Sequence, residues 1–337
     1  MIERKTLYDK KIYTWDEFKG KLDKPDLLLG NGFTMQFSGN FSYGSLFEIF
    51  LQNCHESYRP LFQSFGTTNF ELILRYLNNA IQINKILGQP TELIQTAIEQ
   101  LRNGLITSIE QMHPRNADID FDRLTEIAEQ FEKFGDIYTT NYDLYLYHIL
   151  MITNDLSRTK DGYVAYQDFY WGNQAPEGFR QFMDYQNYVY KDIYFLHGAL
   201  FVYNDGGGEV KLLKNATGDE LIESISTEIR RSHFPIFVSE GNARDKLSSI
   251  NRSRYLRFCL DNLAKSDNSI VIFGNALHEI DIHIIDAIKY HQRDIIYCLY
   301  IGDRSLESVL EEKHKFSGKF EYYRKSIEFI DSSTVFK

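Results

Sequence analysis

The sequence predicts an α/β fold with a mostly parallel, Rossmann-like sheet and a large helical insertion. Short apolar runs at residues 26–29, 136–139, 192–196, 269–273 and 294–301 alternate with segments of helical periodicity. These runs do not alternate with polar residues, which is typical of strands buried on both faces of a parallel sheet. The stretch between the first two runs is helical in pattern and too long for a simple crossover connection.

Residues 44–135 are predicted to be the helical insertion, acting as a lid or assembly module beside the sheet. The segments with the clearest helical periodicity are residues 70–77, 93–109 and 121–134. Residues 1–43 and 136–337 then form the predicted α/β domain, which the insertion interrupts.

The second half of the chain adds a predicted hairpin and edge strands. Residues 200–203 and 209–213 flank a turn segment with three consecutive glycines, a pattern that favours a β-hairpin. Further edge strands are predicted at residues 321–323 and 326–330. A basic run that includes Lys246 is predicted to be a solvated helix face.

Composition excludes several classes of protein. The chain has 337 residues, a formal net charge of -10 and a pI of about 5.4, so we expect no direct binding to nucleic acid. Cys54, Cys259 and Cys298 form no CxxC motif, which argues against a disulfide framework and a four-cysteine zinc site. Without a signal peptide or an apolar run of about 18 residues, the protein is expected to be soluble and cytoplasmic.

A glycine-containing turn, Gly30-Asn31-Gly32-Phe33-Thr34, follows the first predicted strand. Glycine lets the backbone bend sharply and approach a pyrophosphate, and Thr34 offers a hydroxyl to phosphate. The third glycine of the usual G-x-G-x-x-G fingerprint is absent. An ordinary strand-to-helix turn, with Thr34 as a helix cap, therefore remains an alternative.

Asn141 and Asp143 stand just after the second predicted strand, at the edge of an open α/β sheet where ligands bind. A carboxamide both donates and accepts hydrogen bonds, so Asn141 can orient a water or a ribose hydroxyl. The structural alternatives are a turn residue for Asn141 and a helix N-cap for Asp143.

His197 lies between a predicted buried strand and Gly198, and it is the only one of the nine histidines so placed. Histidine titrates near neutral pH and can accept a proton from a hydroxyl or water. The alternative for His197 is a hydrogen-bonded core residue. Packing or surface positions on helices are predicted for the remaining candidates, His148, His278, His283 and His291.

Gly274 and Asn275 follow a fourth predicted strand, and Asp281 stands in the helical segment after it. The glycine permits close approach of an adenosine, and Asn275 or Asp281 can hydrogen-bond a ribose or a base. A plain strand-to-helix loop, with Asp281 favouring the positive start of the helix, is the alternative.

Taken in order, these motifs resemble the NAD site of the sirtuin fold. The chain is most similar to the sirtuin-like proteins of bacterial antiphage defence, of the short type encoded beside a HerA-type ATPase. The resemblance covers most of the chain, including residues 234–241 and 327–333. It implies a sirtuin-type sheet, and it matches Gly30, Gly32 and Thr34 to the phosphate turn. Asn31 departs from the alanine usual between those glycines.

The same resemblance assigns roles to the remaining motif residues. Asn141 and Asp143 correspond to the pair that meets the nicotinamide ribose and its carboxamide, and His197 corresponds to the catalytic base. Gly274 and Asn275 correspond to the adenosine-side loop.

The implied activity is hydrolysis of NAD+ to nicotinamide and ADP-ribose by an antiphage, abortive-infection effector. NAD is then the substrate, no metal is required, and the expected partners are a HerA-type ATPase and further copies of the chain. One alternative is a sensor or scaffold that binds NAD or ADP-ribose without cleaving it. Another is an NAD-dependent deacylase, against which the missing paired CxxC motifs count.

Overall fold

The computed structural model describes most of the chain, in ranges separated by short gaps. The described ranges are residues 2–42, 46–54, 58–68, 70–113, 115–161, 164–185, 190–213, 221–238, 242–289, 293–323 and 325–337. The end of the segment at 234–241, residues 239–241, and His291 lie outside these ranges.

The strands alternate with helices along much of the chain. In chain order the strands are β1 (Ile12–Tyr13), β2 (Asp26–Leu29), β3 (Ile137–Thr139), β4 (Tyr166–Gln167), β5 (Tyr170–Gly172), β6 (Phe179–Phe182), β7 (Lys191–Phe195), β8 (Gly198–Asn204), β9 (Glu209–Leu212), β10 (Pro235–Phe237), β11 (Ile270–Phe273), β12 (Ile295–Leu299) and β13 (Ile327–Asp331). In chain order the helices are α1 (Arg4–Asp9), α2 (Trp15–Phe18), α3 (Asn31–Thr34), α4 (Leu46–Asn53), α5 (Arg59–Phe65), α6 (Phe70–Ile86), α7 (Glu92–Met112), α8 (Phe121–Gln130), α9 (Tyr145–Thr159), α10 (Leu221–Arg230), α11 (Ala243–Arg252), α12 (Arg254–Lys265), α13 (Ile282–Lys289) and α14 (Leu306–Gly318).

The main sheet has eight strands within the described ranges, in the order β1-β13-β12-β11-β2-β3-β7-β4. All of its recorded strand pairs are parallel. The chain moves outward from β2 through β3 to β7, then continues on the other side of β2 through β11, β12 and β13. This is the 3-2-1-4-5-6 order of the Rossmann fold, with the strand order reversing between β2 and β11. The prediction of a Rossmann-like, mostly parallel α/β fold is confirmed.

Apolar runs form the central strands as the sequence pattern predicts. Every residue of β2, β3, β11 and β12 is buried. Helices cover the sheet, so a strand in its centre has no face left for solvent. The fold of this region therefore follows from local composition.

A second, antiparallel sheet has the order β10-β8-β9-β6-β5. It contains the predicted hairpin, whose strands β8 and β9 pair Tyr203 with Val210. The sheet as a whole was not predicted, because β5 and β6 are short and lie in an aromatic segment without clear alternation. The predicted edge strand at residues 321–323 is wrong: these residues form a 3-10 helix, with the Tyr323 amide donating to the Phe320 carbonyl at 3.0 Å.

Helices α4 to α8 lie between β2 and β3 in the chain, within the segment predicted to be a helical insertion. Helix α7 is its centre, because Ile98, Leu101, Leu105 and Ile109 form one buried stripe at helical spacing. An ion pair of 2.8 Å between Arg115 and Glu223 connects this module to α10. Across the described ranges, no helix combines the length and hydropathy that crossing a bilayer requires.

Candidate active site at the carboxyl edge of the sheet

A cavity of about 1050 Å³ opens at the carboxyl ends of the parallel strands. One lining residue from the segment after each of six strands illustrates its extent: Gly32, Asn141, His197, Asn275, Tyr300 and Ser332. The cavity therefore covers the point between β2 and β11 where the strand order reverses. Open α/β sheets bind their ligands at this point, because the loops on either side diverge there.

Glycines allow the turns after β2 and β11 to pack directly against each other. The Gly32 amide donates to the Gly274 carbonyl at 2.9 Å. A Cβ on Gly30 would lie 2.5 Å from the Cβ of Asn275, and one on Gly274, whose φ is +67°, would lie 2.5 Å from the Phe33 nitrogen. These glycines thus have a packing reason that the sequence did not reveal, while Asn31 and Gly32 still line the cavity.

Asn141 is held by a chain of hydrogen bonds that reaches back to the first turn. Its Nδ2 donates to the Gly30 carbonyl at 3.0 Å and to the Thr34 hydroxyl at 2.9 Å. The Thr34 hydroxyl in turn donates to Asp143 Oδ2 at 2.6 Å. Both amide hydrogens of Asn141 are used in this way. Its Oδ1 accepts no hydrogen bond from the described residues, so Oδ1 is the atom left for a ligand.

Asp143 connects this hydrogen-bond chain to the start of helix α9. Its Oδ1 accepts from the backbone amide of Tyr145 at 2.9 Å, at the start of α9. Burial raises the pKa of Asp143, and the hydrogen bond from Thr34 opposes that change. Leu144 is the N-cap residue of α9, so Asp143 binds the first helical amide from one position earlier, and it also fixes Thr34 and through it Asn141.

The backbone at His197 is fixed by the strand that packs beside it. Its carbonyl accepts from the Val238 amide at 2.7 Å. Gly198 has a φ of +74°, and a Cβ there would lie 2.1 Å from the Ile236 carbonyl oxygen. Only glycine tolerates this approach, which explains the His-Gly sequence at the end of β7.

His197 is 4% exposed, and its side chain faces a second histidine. Its Nε2 lies 2.9 Å from Nε2 of His283. Burial, together with His283 and Lys246 nearby, lowers the pKa of His197 well below its usual value, and burial lowers the pKa of His283 to about 4. Both rings are therefore neutral at neutral pH, and Nδ1 of His197 makes no hydrogen bond to the described residues.

Asp281 and Lys246 complete this corner of the cavity. Lys246 Nζ donates to Asp281 Oδ1 at 2.8 Å, and the same oxygen lies 4.0 Å from His197 Nε2. Asp281 thus stands beside the histidine pair with an ion-pair partner, a setting that the sequence did not reveal. The basic run was predicted to be a solvated helix face, but Lys246 is 7% exposed, so that prediction is wrong at this position.

Asn275 joins two of the loops that surround the cavity. Its Nδ2 donates to the Thr140 hydroxyl at 3.0 Å, and its Oδ1 accepts from the Leu277 amide at 2.9 Å. The side chain therefore binds the loop after β11 to the loop after β3. Asn275 lines the cavity, and each end of its amide group makes one hydrogen bond within the protein, which leaves a second N–H and a second lone pair.

His283 and Lys246 are the site residues that sequence reasoning missed. His283 stands on α13, and the sequence predicted a packing or surface role for it. No local motif distinguishes it, since its partner His197 is 86 positions away in the chain. The one sequence signal that points to His283 is its place two positions after Asp281, at a helix start that follows the glycine turn after β11.

The comparisons with known proteins give a family and no activity. A family model described as "Domain of unknown function (DUF4917)" matches residues 27–335. No curated protein matches the chain at a significant level.

Proposed function

We propose that this chain, which belongs to the family described as Domain of unknown function (DUF4917), hydrolyses NAD+ to nicotinamide and ADP-ribose in the cavity at the carboxyl edge. One observation carries the proposal: Asn141 and a buried neutral histidine, His197, line the same large cavity at a Rossmann switch point. Its volume of about 1050 Å³ suits a dinucleotide, since pockets for smaller ligands are typically ~300–1,000 Å³.

Hydrolysis of NAD+ requires the protein to position the substrate and the water and to supply one base. Nicotinamide is already a cationic leaving group, so the C1′–N bond breaks toward an oxocarbenium-like ribose. Water then attacks C1′, and its proton passes to the base. The products are nicotinamide, ADP-ribose and one proton, so the reaction balances without a further reactant.

Asn141 and His197 divide the work in this proposal. Asn141 Oδ1 accepts from the water or from a ribose hydroxyl, and its orientation is fixed by Thr34 and Gly30. His197 accepts the proton on Nδ1, while its Nε2 keeps a proton that is shared with His283. A positioned base of this kind contributes ~10²–10⁴-fold in rate.

Further parts of the proposal come from the resemblance alone. They are a cytoplasmic antiphage effector, an assembly of several copies, and a HerA-type ATPase as partner. The resemblance assigns the phosphates to Gly30, Gly32 and Thr34, but the Gly30 and Gly32 amides donate to the Phe273 and Gly274 carbonyls and the buried Thr34 hydroxyl donates to Asp143, so these groups have no hydrogen left for a phosphate. Gly274 and Asn275 would bind the adenosine. The helical insertion is the candidate element for assembly or control.

A second candidate function is a sensor that binds NAD or ADP-ribose without turnover. It is favoured by the way the polar atoms are used: both amide hydrogens of Asn141 and both oxygens of Asp143 bind within the protein. A site so committed to its own structure has few groups left for catalysis.

The test is nicotinamide release from NAD+, measured by chromatography with and without a HerA-type ATPase. We expect release by the wild type and a fall of ~10²–10⁴-fold in His197→Ala. His278→Ala is the matched control, because His278 lines the same cavity but is exposed. Equal release by wild type and His197→Ala would contradict the assigned base. Tight binding of ADP-ribose with no release under any condition would favour the sensor.

A further inference from the structure

Three metal-binding side chains converge at the end of the cavity. They are His197 after β7, Asp281 just before α13, and His283 on α13. One ligand atom from each, two imidazole nitrogens and a carboxylate oxygen, lies within 4.8 Å of the other two. Side chains from two separate parts of the chain therefore bring three ligand atoms close together.

The distances suit a shared ion after small side-chain movements. Zinc binds nitrogen and carboxylate oxygen at ~2.0–2.2 Å, so two tetrahedral ligands stand a little over ~3 Å apart. The histidine nitrogens are 2.9 Å apart, and His197 Nε2 is 4.0 Å from Asp281 Oδ1. These two values lie on either side of the separation that a bound ion requires.

The donor set indicates the class of ion. Two imidazoles and one carboxylate suit a first-row divalent metal such as Zn²⁺, Co²⁺ or Fe²⁺, whereas Mg²⁺ and Ca²⁺ prefer oxygen ligands. Because His197 and Asp281 also line the large cavity, an ion here would keep a coordination position open to water or a ligand.

Lys246 balances the negative charge of Asp281. Its ammonium lies 2.8 Å from Asp281 Oδ1, so it neutralises the carboxylate that would otherwise be buried without a partner. A divalent ion at the three ligands would take over that role and compete with the ammonium.

We propose that His197, His283 and Asp281 form a binding site for a divalent first-row transition metal, with Lys246 as the competing cation. Metal binding at this site does not depend on the proposed NAD+ hydrolysis, although His197 belongs to both. It adds a consequence that does rest on that function: a metal on Nε2 of His197 places the ring's single proton on Nδ1. The base would then be blocked, so the metal would inhibit turnover.

The experiment is calorimetric titration of the full chain, prepared without a histidine tag, with Zn²⁺, and the absorption spectrum with Co²⁺. We expect one ion per chain. Affinity should fall by at least ~10–100-fold in His283→Ala and Asp281→Asn, the loss typical even of residues that only support a metal ligand. His278→Ala, which removes an exposed histidine from the same cavity, should bind as the wild type does.

Lys246→Met sharpens the test, because it removes the competitor and keeps the ligands. We expect about tenfold tighter binding, since a nearby ammonium repels a divalent ion. Thermal unfolding of each variant verifies its fold, and His283→Gln repeats the test with a polar side chain. Absence of binding, or equal affinity in wild type and His283→Ala, would overturn the proposal. Either result is obtained without NAD+, so it leaves the hydrolase proposal to its own assay.

Discussion

At the amino ends of its central strands the main sheet carries buried or half-buried aspartates, and at the carboxyl ends it carries buried asparagine, aspartate and histidine. Asp26, Asp136 and Asp192 belong to the amino edge, whereas Asn141 and His197 belong to the carboxyl edge. The residue types overlap, and each set follows or begins an apolar run. Their difference lies in what their polar atoms bind.

The aspartates of the amino edge connect neighbouring strands. Asp26 Oδ1 accepts from the Asp136 amide at 3.2 Å, and Asp136 Oδ1 accepts from the Asp192 amide at 3.0 Å. The second oxygen of Asp26 accepts from the Ser266 hydroxyl at 2.6 Å. The Asp26 and Asp136 carboxylates thus each bind the next strand in the sheet.

The carboxyl edge leaves selected atoms unused. Oδ1 of Asn141 and Nδ1 of His197 make no hydrogen bond to the described residues, and both residues line the cavity. Buried polar groups are normally paired, so polar atoms kept free at an opening are a sign of ligand binding. The comparison teaches that polar residues at a strand end indicate function only when the fold leaves one of their atoms unpaired.

The largest expected effect that tests this comparison comes from one substitution at each edge. Asn141→Ala should lower NAD+ turnover by ~100-fold or more, because a misplaced water or ribose costs about that much. Asp136→Asn should leave turnover unchanged, because Asp136 lies at the opposite edge from the cavity. Nicotinamide release measures both. Similar turnover in the two variants would remove the functional distinction between the edges.

A smaller effect is expected on stability at the amino edge. Asp26→Ala removes an acceptor for the Asp136 amide and for Ser266, and we expect a loss of ~2–3 kcal/mol in the free energy of unfolding. Asp26→Asn keeps an oxygen in place and should cost less. Urea unfolding gives the free energies, and calorimetry should give the same affinity for NAD+ in both variants. A weakened affinity in folded Asp26→Ala would show that the two edges are coupled.

A pH dependence of stability also originates at the amino edge. Burial raises the pKa of Asp136 from 3.8 to about 7, with Asp192 and Asp26 adding to the rise. The native state therefore holds a proton that the unfolded state has lost, and this contribution to stability decreases as the pH rises from about 4 to 7. The slope is at most ~1.4 kcal/mol per pH unit for one proton. Urea unfolding across this range should show a flatter profile for Asp136→Asn, and an unchanged profile would contradict the assignment.

The sequence predicted the central sheet well because its strands are fully buried. Runs such as residues 26–29 and 269–273 can be recognised as strands from their own composition, because a strand buried on both faces is apolar at every position. The helical insertion was predictable for a similar reason, because α7 carries its buried stripe at helical spacing. In the antiparallel sheet the β8–β9 hairpin was predicted, but β5 and β6 were not, because they are defined by pairing and not by their own composition.

By itself the sequence determined which polar residues follow which strands, and so placed Asn141, His197 and Gly274 at one edge of a Rossmann-like sheet. Only the tertiary structure decided that His283, Asp281 and Lys246 meet His197, and which atom of Asn141 remains free. The physical reason is the separation along the chain over which each feature arises. Burial and periodicity are properties of neighbouring residues, whereas a hydrogen bond between side chains far apart in the chain depends on how the elements pack.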